Sequence, residues 1–195
     1  MLPLGVMVGL SVRMGYVIAN DAHKAKLMAI WCMGLMTSLG AITAALLYLF
    51  RLPLIHLFTR EDDVIQMSLS IWPYVCLHVF LTHVLGNNEA VYRGLGMQWR
   101  LATIIAMVLY VGLLPCVIYF AMIKGGGLIV EWELMPVLYT VMQVILIAGL
   151  LLVDWEENSS HIRLALRNSL IEIKDRMSLM VQDPTEQTPL AAERF

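Results

Sequence analysis

Residues 71–98 read IWPYVCLHVFLTHVLGNNEAVYRGLGMQ, and this stretch determines the predicted architecture. It begins as an apolar helix long enough to cross a bilayer, and polar residues become more frequent toward its end. One stripe of that helix, at steps of four, four, three and four, carries His78, Thr82, Gly86, Glu89 and Arg93. Because unpaired polar groups in hydrocarbon cost several kcal/mol, the stripe is predicted to face protein or a wet cavity.

The composition indicates a membrane protein. Of the 195 residues, 59% are hydrophobic and only 14% are charged, with a mean hydropathy of +0.75, whereas about a quarter of the residues in a soluble protein are charged. We therefore predict an all-α polytopic membrane protein with a transmembrane region over residues 1–157. Its roughly five spans are predicted at about 1–17, 27–50, 64–95, 101–123 and 135–153. An amphipathic cytoplasmic helix is predicted over 158–181 and a disordered tail over 182–195.

Several functional classes are excluded by what the sequence carries. The net charge of −2 provides no basic patch, so no nucleic-acid partner is expected. Cys32, Cys76 and Cys116 all lie inside apolar runs, without the spacing of a disulfide framework or a metal site. The sequence has no phosphate-binding loop, catalytic triad or zinc-protease motif. We predict that the chain is not an enzyme and that it holds neither a metal nor a cofactor.

The distribution of lysine and arginine predicts the orientation in the membrane. The loops after the second and fourth spans carry few bases, which are Arg51, Arg60 and Lys124. The segments after the first, third and fifth spans carry more, which are Lys24, Lys26, Arg93, Arg100, Arg163, Arg167, Lys174 and Arg176. The side of the membrane with more lysine and arginine is predicted to be cytoplasmic, and it includes the carboxyl terminus. Two locations are open for this multi-pass protein, the plasma membrane and a vacuolar or other endomembrane.

Five motifs, in order, resemble those of the carboxy-terminal lobe of MATE (multidrug and toxin extrusion) transporters. They are SVRMG at 11–15 with AHKAK at 22–26, LPLIHLFT at 52–59 with DVI at 63–65, YRGLGMQ at 92–98, LP at 114–115 and DWE at 154–156. Each motif alone is weak, but five at matching intervals are specific. The resemblance covers about residues 8–157 and maps the five spans onto the family's helices eight to twelve, which is a partial lobe.

The resemblance implies secondary active transport. Family members have two lobes of six helices, and they export organic cations and xenobiotics by antiport with H⁺ or Na⁺ through a cavity that opens alternately to each side. The implied partners are the lipid bilayer, an organic-cation or xenobiotic substrate, and an amino-terminal lobe supplied in cis or in trans. Two alternatives are a membrane interaction or scaffold protein with five helices and no transport activity, and a related lipid-linked-oligosaccharide flippase.

The chain departs from the family where the coupling ion is expected to bind. The family's acidic position midway along helix ten falls on Thr82. The family's asparagines in helices eight and eleven fall on Tyr16 and Ile105. Further acidic positions of the family lie in helix seven, outside this chain, so the groups that usually bind the coupling ion are replaced or missing here.

Glu89 has two interpretations. In the first, it replaces the lost acid as the proton or cation site, together with His78 or His83, because a carboxyl group in a low-dielectric cavity is easily protonated. In the second, it lies at the cytoplasmic edge of the helix and pairs with Arg93 one turn later. For His78 and His83 themselves, the alternative to a proton relay is a neutral imidazole hydrogen-bonded between helices.

The remaining candidates divide into a cavity lining and a structural set. Tyr139 and Gln143, one turn apart on the last span, are candidates to bind a flat organic cation by cation–π contact and hydrogen bonding, with helix packing as the alternative. Asn87 and Asn88 are predicted to be interhelical hydrogen-bond partners. The structural residues carried by the motifs are Arg13, Gly15, Pro53, Arg93, Gly94, Gly96, Gln98 and Pro115.

Overall fold

The computed structural model describes residues 2–182, and nearly all of them are helical. The helices are α1 (Leu2–Asn20), α2 (Ala22–Leu49), α3 (Arg51–Phe58), α4 (Asp62–Gly94), α5 (Gln98–Ile123), α6 (Gly127–Leu151) and α7 (Trp155–Gln182). No strand occurs within residues 2–182, and the predicted all-α fold is confirmed. Apart from Gln182, the tail that was predicted to be disordered lies outside the described residues.

Within that range, four helices are long and apolar enough to cross a membrane, namely α2, α4, α5 and α6, while α1 is a shorter apolar helix. Their outer faces carry large hydrophobic side chains that are at least 70% exposed, among them Val12, Tyr16, Trp31, Leu49 and Tyr110. Such an apolar surface fits lipid and not water. The chain is therefore a multi-pass membrane protein.

Two helices, α2 and α6, begin well before the spans predicted at 27–50 and 135–153. Asp21 alone separates α1 from α2, because its carboxylate accepts a hydrogen bond from the Lys24 backbone N–H (3.1 Å) and starts α2 at once. That bond lowers the pKa of the Asp21 carboxyl group below its ordinary value. Helix α6 begins at Gly127 instead of near residue 135. Its first two turns therefore contain Glu131 and Glu133, which precede the predicted span.

Helix α4 is the centre of the molecule, and it packs against α1, α2 and α6. The buried core lies at one end of this arrangement, where α1, α4 and α6 finish and α2 and α5 begin. Its members include Met14 and Ile18 from α1, Val91 from α4, and Met142 and Leu146 from α6. This is the end that the lysine and arginine distribution predicts to be cytoplasmic.

The motif at 154–156 starts the last helix. Asp154 caps α7, because its carboxylate accepts hydrogen bonds from the backbone N–H groups of Glu156 (3.0 Å) and Glu157 (3.1 Å). Asn158 then donates to the backbone oxygen of Leu95 at the end of α4 (3.2 Å). The start of α7 is therefore tied to the helical bundle.

Candidate functional site

Two buried amides join α4 to α6. The Asn88 Nδ2 donates to Gln143 Oε1 (2.6 Å), and the Gln143 Nε2 donates to the backbone oxygen of Leu81 (3.1 Å). Asn88 is fully buried and Gln143 is 4% exposed. Gln143 is therefore engaged at both ends of its amide, and it holds two helices together as a packing residue. Asn88 has the interhelical role expected for it.

An aromatic cluster lies on the same α4–α6 interface, nearer the middle of both helices. The His78 ring meets the Tyr139 ring edge-on, with centroids 4.6 Å apart, and the Trp132 ring with centroids 6.2 Å apart. One turn before His78, the Tyr74 hydroxyl donates to the Glu133 carboxylate (2.9 Å). We call His78, Trp132, Tyr139, Tyr74 and Glu133 the aromatic cluster. It combines three π faces, an imidazole and a carboxylate.

The imidazole of His78 has an unusual feature. Its Nδ1 atom is buried, and no hydrogen-bond partner for it is found among the described residues. The amide oxygens of Asn87 and Asn88 also lack a partner among the described residues, and a buried polar atom of this kind can bind a water molecule or a ligand. His78 also stands at the midpoint of α4 (Asp62–Gly94), as Tyr139 does in α6 (Gly127–Leu151). Both rings therefore lie near the middle of helices that are long enough to cross the membrane.

The other stripe residues of α4 are arranged differently. Glu89 lies close to the end of the helix and accepts a hydrogen bond from Arg93 Nη2 at 3.1 Å. This geometry favours the interpretation in which Glu89 pairs with Arg93 one turn later. Thr82 is exposed, and its hydroxyl donates to the backbone oxygen of His78 (2.9 Å).

His83 lies away from the aromatic cluster, against α2. It is buried, and its Nδ1 donates to the backbone oxygen of Val79 (2.8 Å). A Cβ atom added at Gly40 would lie only 2.9 Å from the His83 Cβ, so the two helices touch at this point. The next turn continues the contact, where Asn87 Nδ2 approaches the sulfur of Met33 (3.5 Å). Of the two histidines, His78 is the one whose Nδ1 atom has no partner among the described residues.

The motif glycines shape the turn and the helix contact at the buried end. Gly96 has a φ of +72°, which is the left-handed conformation that glycine adopts most easily, and the turn it forms ends α4 before α5. Gly94 lies against Met14 of α1, and Gly15 faces the backbone oxygen of Gly94. These glycines allow α1 and α4 to approach closely.

The remaining motif residues lie outside the aromatic cluster. Pro53 is in the first turn of α3, where its missing N–H group is not needed. Pro115 lies in α5 between two π-helical stretches, Met107–Leu113 and Ile118–Ile123. Gln98 is exposed at the start of α5, and Arg13 is exposed on α1.

Sequence reasoning missed part of this site. Trp132, Tyr74 and Glu133 were not singled out, and Trp132 and Glu133 precede the span predicted at 135–153. One signal was present, since Trp132 lies seven residues before Tyr139 and therefore on the same face of α6. The pairing of that face with His78 depends on how α4 and α6 pack.

Comparisons with known proteins agree with this architecture. The MatE family model matches residues 1–121. Multidrug and toxin extrusion protein 2 from Homo sapiens is 32% identical over 119 residues, which cover 59% of this chain and 19% of that protein. The protein of the same name from Pongo abelii is 31% identical over 118 residues, which cover 58% of this chain and 20% of that protein.

A solved structure has the same fold. The crystal structure of the eukaryotic MATE transporter AtDTX14 aligns with 84% of this chain and 37% of its own length, with a TM-score of 0.72 and 20% identity. The chain spans about a fifth of the length of the curated relatives it matches. The resemblance inferred from the five motifs is confirmed: the chain belongs to the MATE family, whose members are transporters and not enzymes.

Proposed function

We propose that the chain forms part of a secondary transporter that exports organic cations in exchange for protons, and that the aromatic cluster binds both. The name of the relatives, multidrug and toxin extrusion protein 2, supports export of drugs and toxins, and the resemblance to the family implies organic cations among them. The observation that carries the proposal is the buried Nδ1 atom of His78, which has no partner among the described residues and belongs to a ring packed on Tyr139.

The substrate part of the proposal rests on the aromatic rings. Trp132, Tyr139 and Tyr74 present π faces or edges around one place on the α4–α6 interface. A cation over such a face gains about 0.5–2 kcal/mol per ring, depending on how far it is desolvated. The Glu133 carboxylate adds an opposite charge one turn away. A flat organic cation matches this combination better than a neutral or anionic molecule does.

The proton part of the proposal explains exchange by mutual exclusion. A neutral His78 leaves the rings free for an organic cation, whereas a protonated His78 places a positive charge in the same cluster. Two unit charges about 5 Å apart repel by about 3 kcal/mol at an effective dielectric constant near 20. That repulsion lowers the affinity for the cation by about two orders of magnitude. Protonation from one side of the membrane would therefore expel the substrate that arrived from the other.

Among the two coupling ions that the family uses, the cluster fits the proton better. Sodium binds through several oxygen ligands, and the His78 ring is surrounded by aromatic groups. The one carboxylate of the cluster, that of Glu133, is already bonded to the Tyr74 hydroxyl. An imidazole nitrogen without a partner can take up or release a proton, but it offers none of the oxygen ligands that sodium needs.

The test is a substitution of His78 that removes the titratable group and keeps a polar side chain. His78→Gln is introduced at the gene's own locus, so that the variant has the length and assembly of the natural protein. The protein is captured with an antibody against residues 182–195 and reconstituted in liposomes. We expect uptake of a fluorescent organic cation driven by a pH gradient to fall at least tenfold. Exchange of labelled for unlabelled cation, which needs no gradient, should persist.

The matched control is His56→Gln on the exposed face of α3, which should leave both assays unchanged. Gradient-driven uptake by the His78 variant at the rate of the unsubstituted protein would rule out His78 as the coupling group. Uptake driven by a sodium gradient alone would rule out the proton. The captured protein also reports its own size: a mass well above 22.0 kDa indicates that the rest of the transporter is on the same chain.

A further inference from the structure

Helix α7 is anchored to the end of a membrane helix by polar contacts. The Ser159 hydroxyl donates to the backbone oxygen of Ile18 (2.6 Å), and the Arg163 Nη2 donates to that of Asn20 (2.8 Å). These are carbonyl groups left without partners at the carboxyl end of α1. The contacts place the first turns of α7 against the end of α1, with the face that carries Ser159 and Arg163 directed toward that helix.

The same face continues along α7 as an apolar stripe. From Ser159 and Arg163, steps of three, four, three and four lead to Leu166, Leu170, Ile173 and Met177. All four apolar side chains are about half exposed or more, at 49%, 65%, 52% and 56%. Since the face begins against the end of α1, its continuation points to the same side, which is the bilayer.

Charge is distributed unequally around this stripe. From residue 163 onward, Arg163, Arg167 and Lys174 border one edge of it, and none of the three forms a salt bridge within the described part of the chain. The acids of the same segment lie on the far side of the helix. One of them, Glu172, is neutralised by Arg176 at 2.8 Å. The edge nearest the bilayer is therefore basic.

The three bases also share an open groove between α7 and the end of α1. The groove has a volume of about 420 Å³. Arg163, Arg167 and Lys174 supply its charge, while Leu166 and Leu170 supply its apolar lining. This combination matches a phospholipid at the membrane surface, with its phosphate on the bases and the start of its acyl chains on the leucines.

We propose that α7 lies on the membrane surface where α1 ends, and that Arg163, Arg167 and Lys174 bind the headgroups of anionic phospholipids. The predicted cytoplasmic side is also the side on which anionic lipids concentrate. The apolar stripe enters the boundary between headgroups and acyl chains, and the bases extend from its edge to the phosphates. This inference is independent of the substrate and the coupling ion.

Amide hydrogen exchange tests the proposal directly. A lone helix in water is only marginally stable, so the amides of residues 166–177 should exchange slowly only when this segment is bound. The purified protein is placed in nanodiscs of phosphatidylcholine alone or with one third phosphatidylserine. We expect exchange in 166–177 to be at least tenfold slower in the anionic discs. The double variant Arg167→Gln/Lys174→Gln should lose most of that difference.

The control is Arg176→Gln, which removes a base from the opposite edge of the stripe, where it is paired with Glu172, and should leave the lipid dependence intact. Unchanged exchange in α4 amides shows that each variant keeps its fold. Equal exchange in the two kinds of disc would overturn the proposal, and so would equal effects of the double variant and the control. Protection by inorganic phosphate in discs without phosphatidylserine would overturn it as well, because the ligand would then be a free anion.

Discussion

Replacing Gly94 by alanine is expected to destabilise the protein by about 2–3 kcal/mol, whereas the same change at Gly15 should be nearly neutral. A Cβ atom at Gly94 would lie 2.6 Å from the Cγ atom of Met14 and 3.1 Å from the backbone oxygen of Ser11. Met14 is fully buried in the core, so it has no free space to retreat into. Helices α1 and α4 would have to separate.

Gly15 is the matched control because it lies on the other side of the same contact. A Cβ atom there would meet the backbone oxygen of Gly94 at 3.7 Å, which is an ordinary van der Waals distance. The midpoint of thermal unfolding in detergent, followed by intrinsic fluorescence, compares the two variants with the unsubstituted protein. We expect a decrease of several degrees for Gly94→Ala. Equal midpoints for the two variants would show that the α1–α4 contact adjusts without cost.

Replacing Gln143 by leucine is expected to destabilise the protein by about 2 kcal/mol, and a second change, Asn88→Leu, should recover most of the loss. The single change leaves the Asn88 amide and the Leu81 backbone oxygen without their partner. Asn88 is fully buried, so neither lipid nor water can replace the lost bond. Removing both amides leaves only apolar groups facing each other, apart from that one backbone oxygen.

A double-mutant cycle measures this coupling. The four proteins are the unsubstituted chain, each single variant and Asn88→Leu/Gln143→Leu, all compared by unfolding in detergent. Thr82→Val serves as the control, because the exposed Thr82 hydroxyl bonds only within its own helix and should contribute little. Additive effects of the two leucine substitutions would contradict the assignment of a specific amide pair between α4 and α6.

Much of the fold was predictable from the sequence because it depends on local chemistry. Apolar runs of sufficient length have to become helices in a membrane, since every backbone polar group needs a partner within the segment. The turn at Gly96 follows from a residue that tolerates positive φ. The pair formed by Glu89 and Arg93 also follows from a spacing of four residues along one helix. The motif order was sufficient to indicate the family.

The aromatic cluster was only half predictable. His78 and Tyr139 were candidates by residue type and position, but the sequence did not distinguish His78 from His83, since both lie on the same span. The difference arises from neighbours: His83 packs where α2 comes closest, at Gly40, whereas His78 meets the rings of α6. Which neighbour a helix face meets is a property of the packed bundle.

By itself, therefore, the sequence determined the class of protein, the number of apolar helices and the family, because these depend on composition, helix length and local order along the chain. Only the tertiary structure decided which polar groups are paired between helices. Asn88 and Gln143 are 55 residues apart in sequence, and their 2.6 Å hydrogen bond exists because α4 and α6 cross at that level. The same crossing leaves the Nδ1 atom of His78 buried without a partner among the described residues. Contacts between helices depend on the rotation and depth of each helix against its neighbours, and this geometry is set by the whole bundle at once.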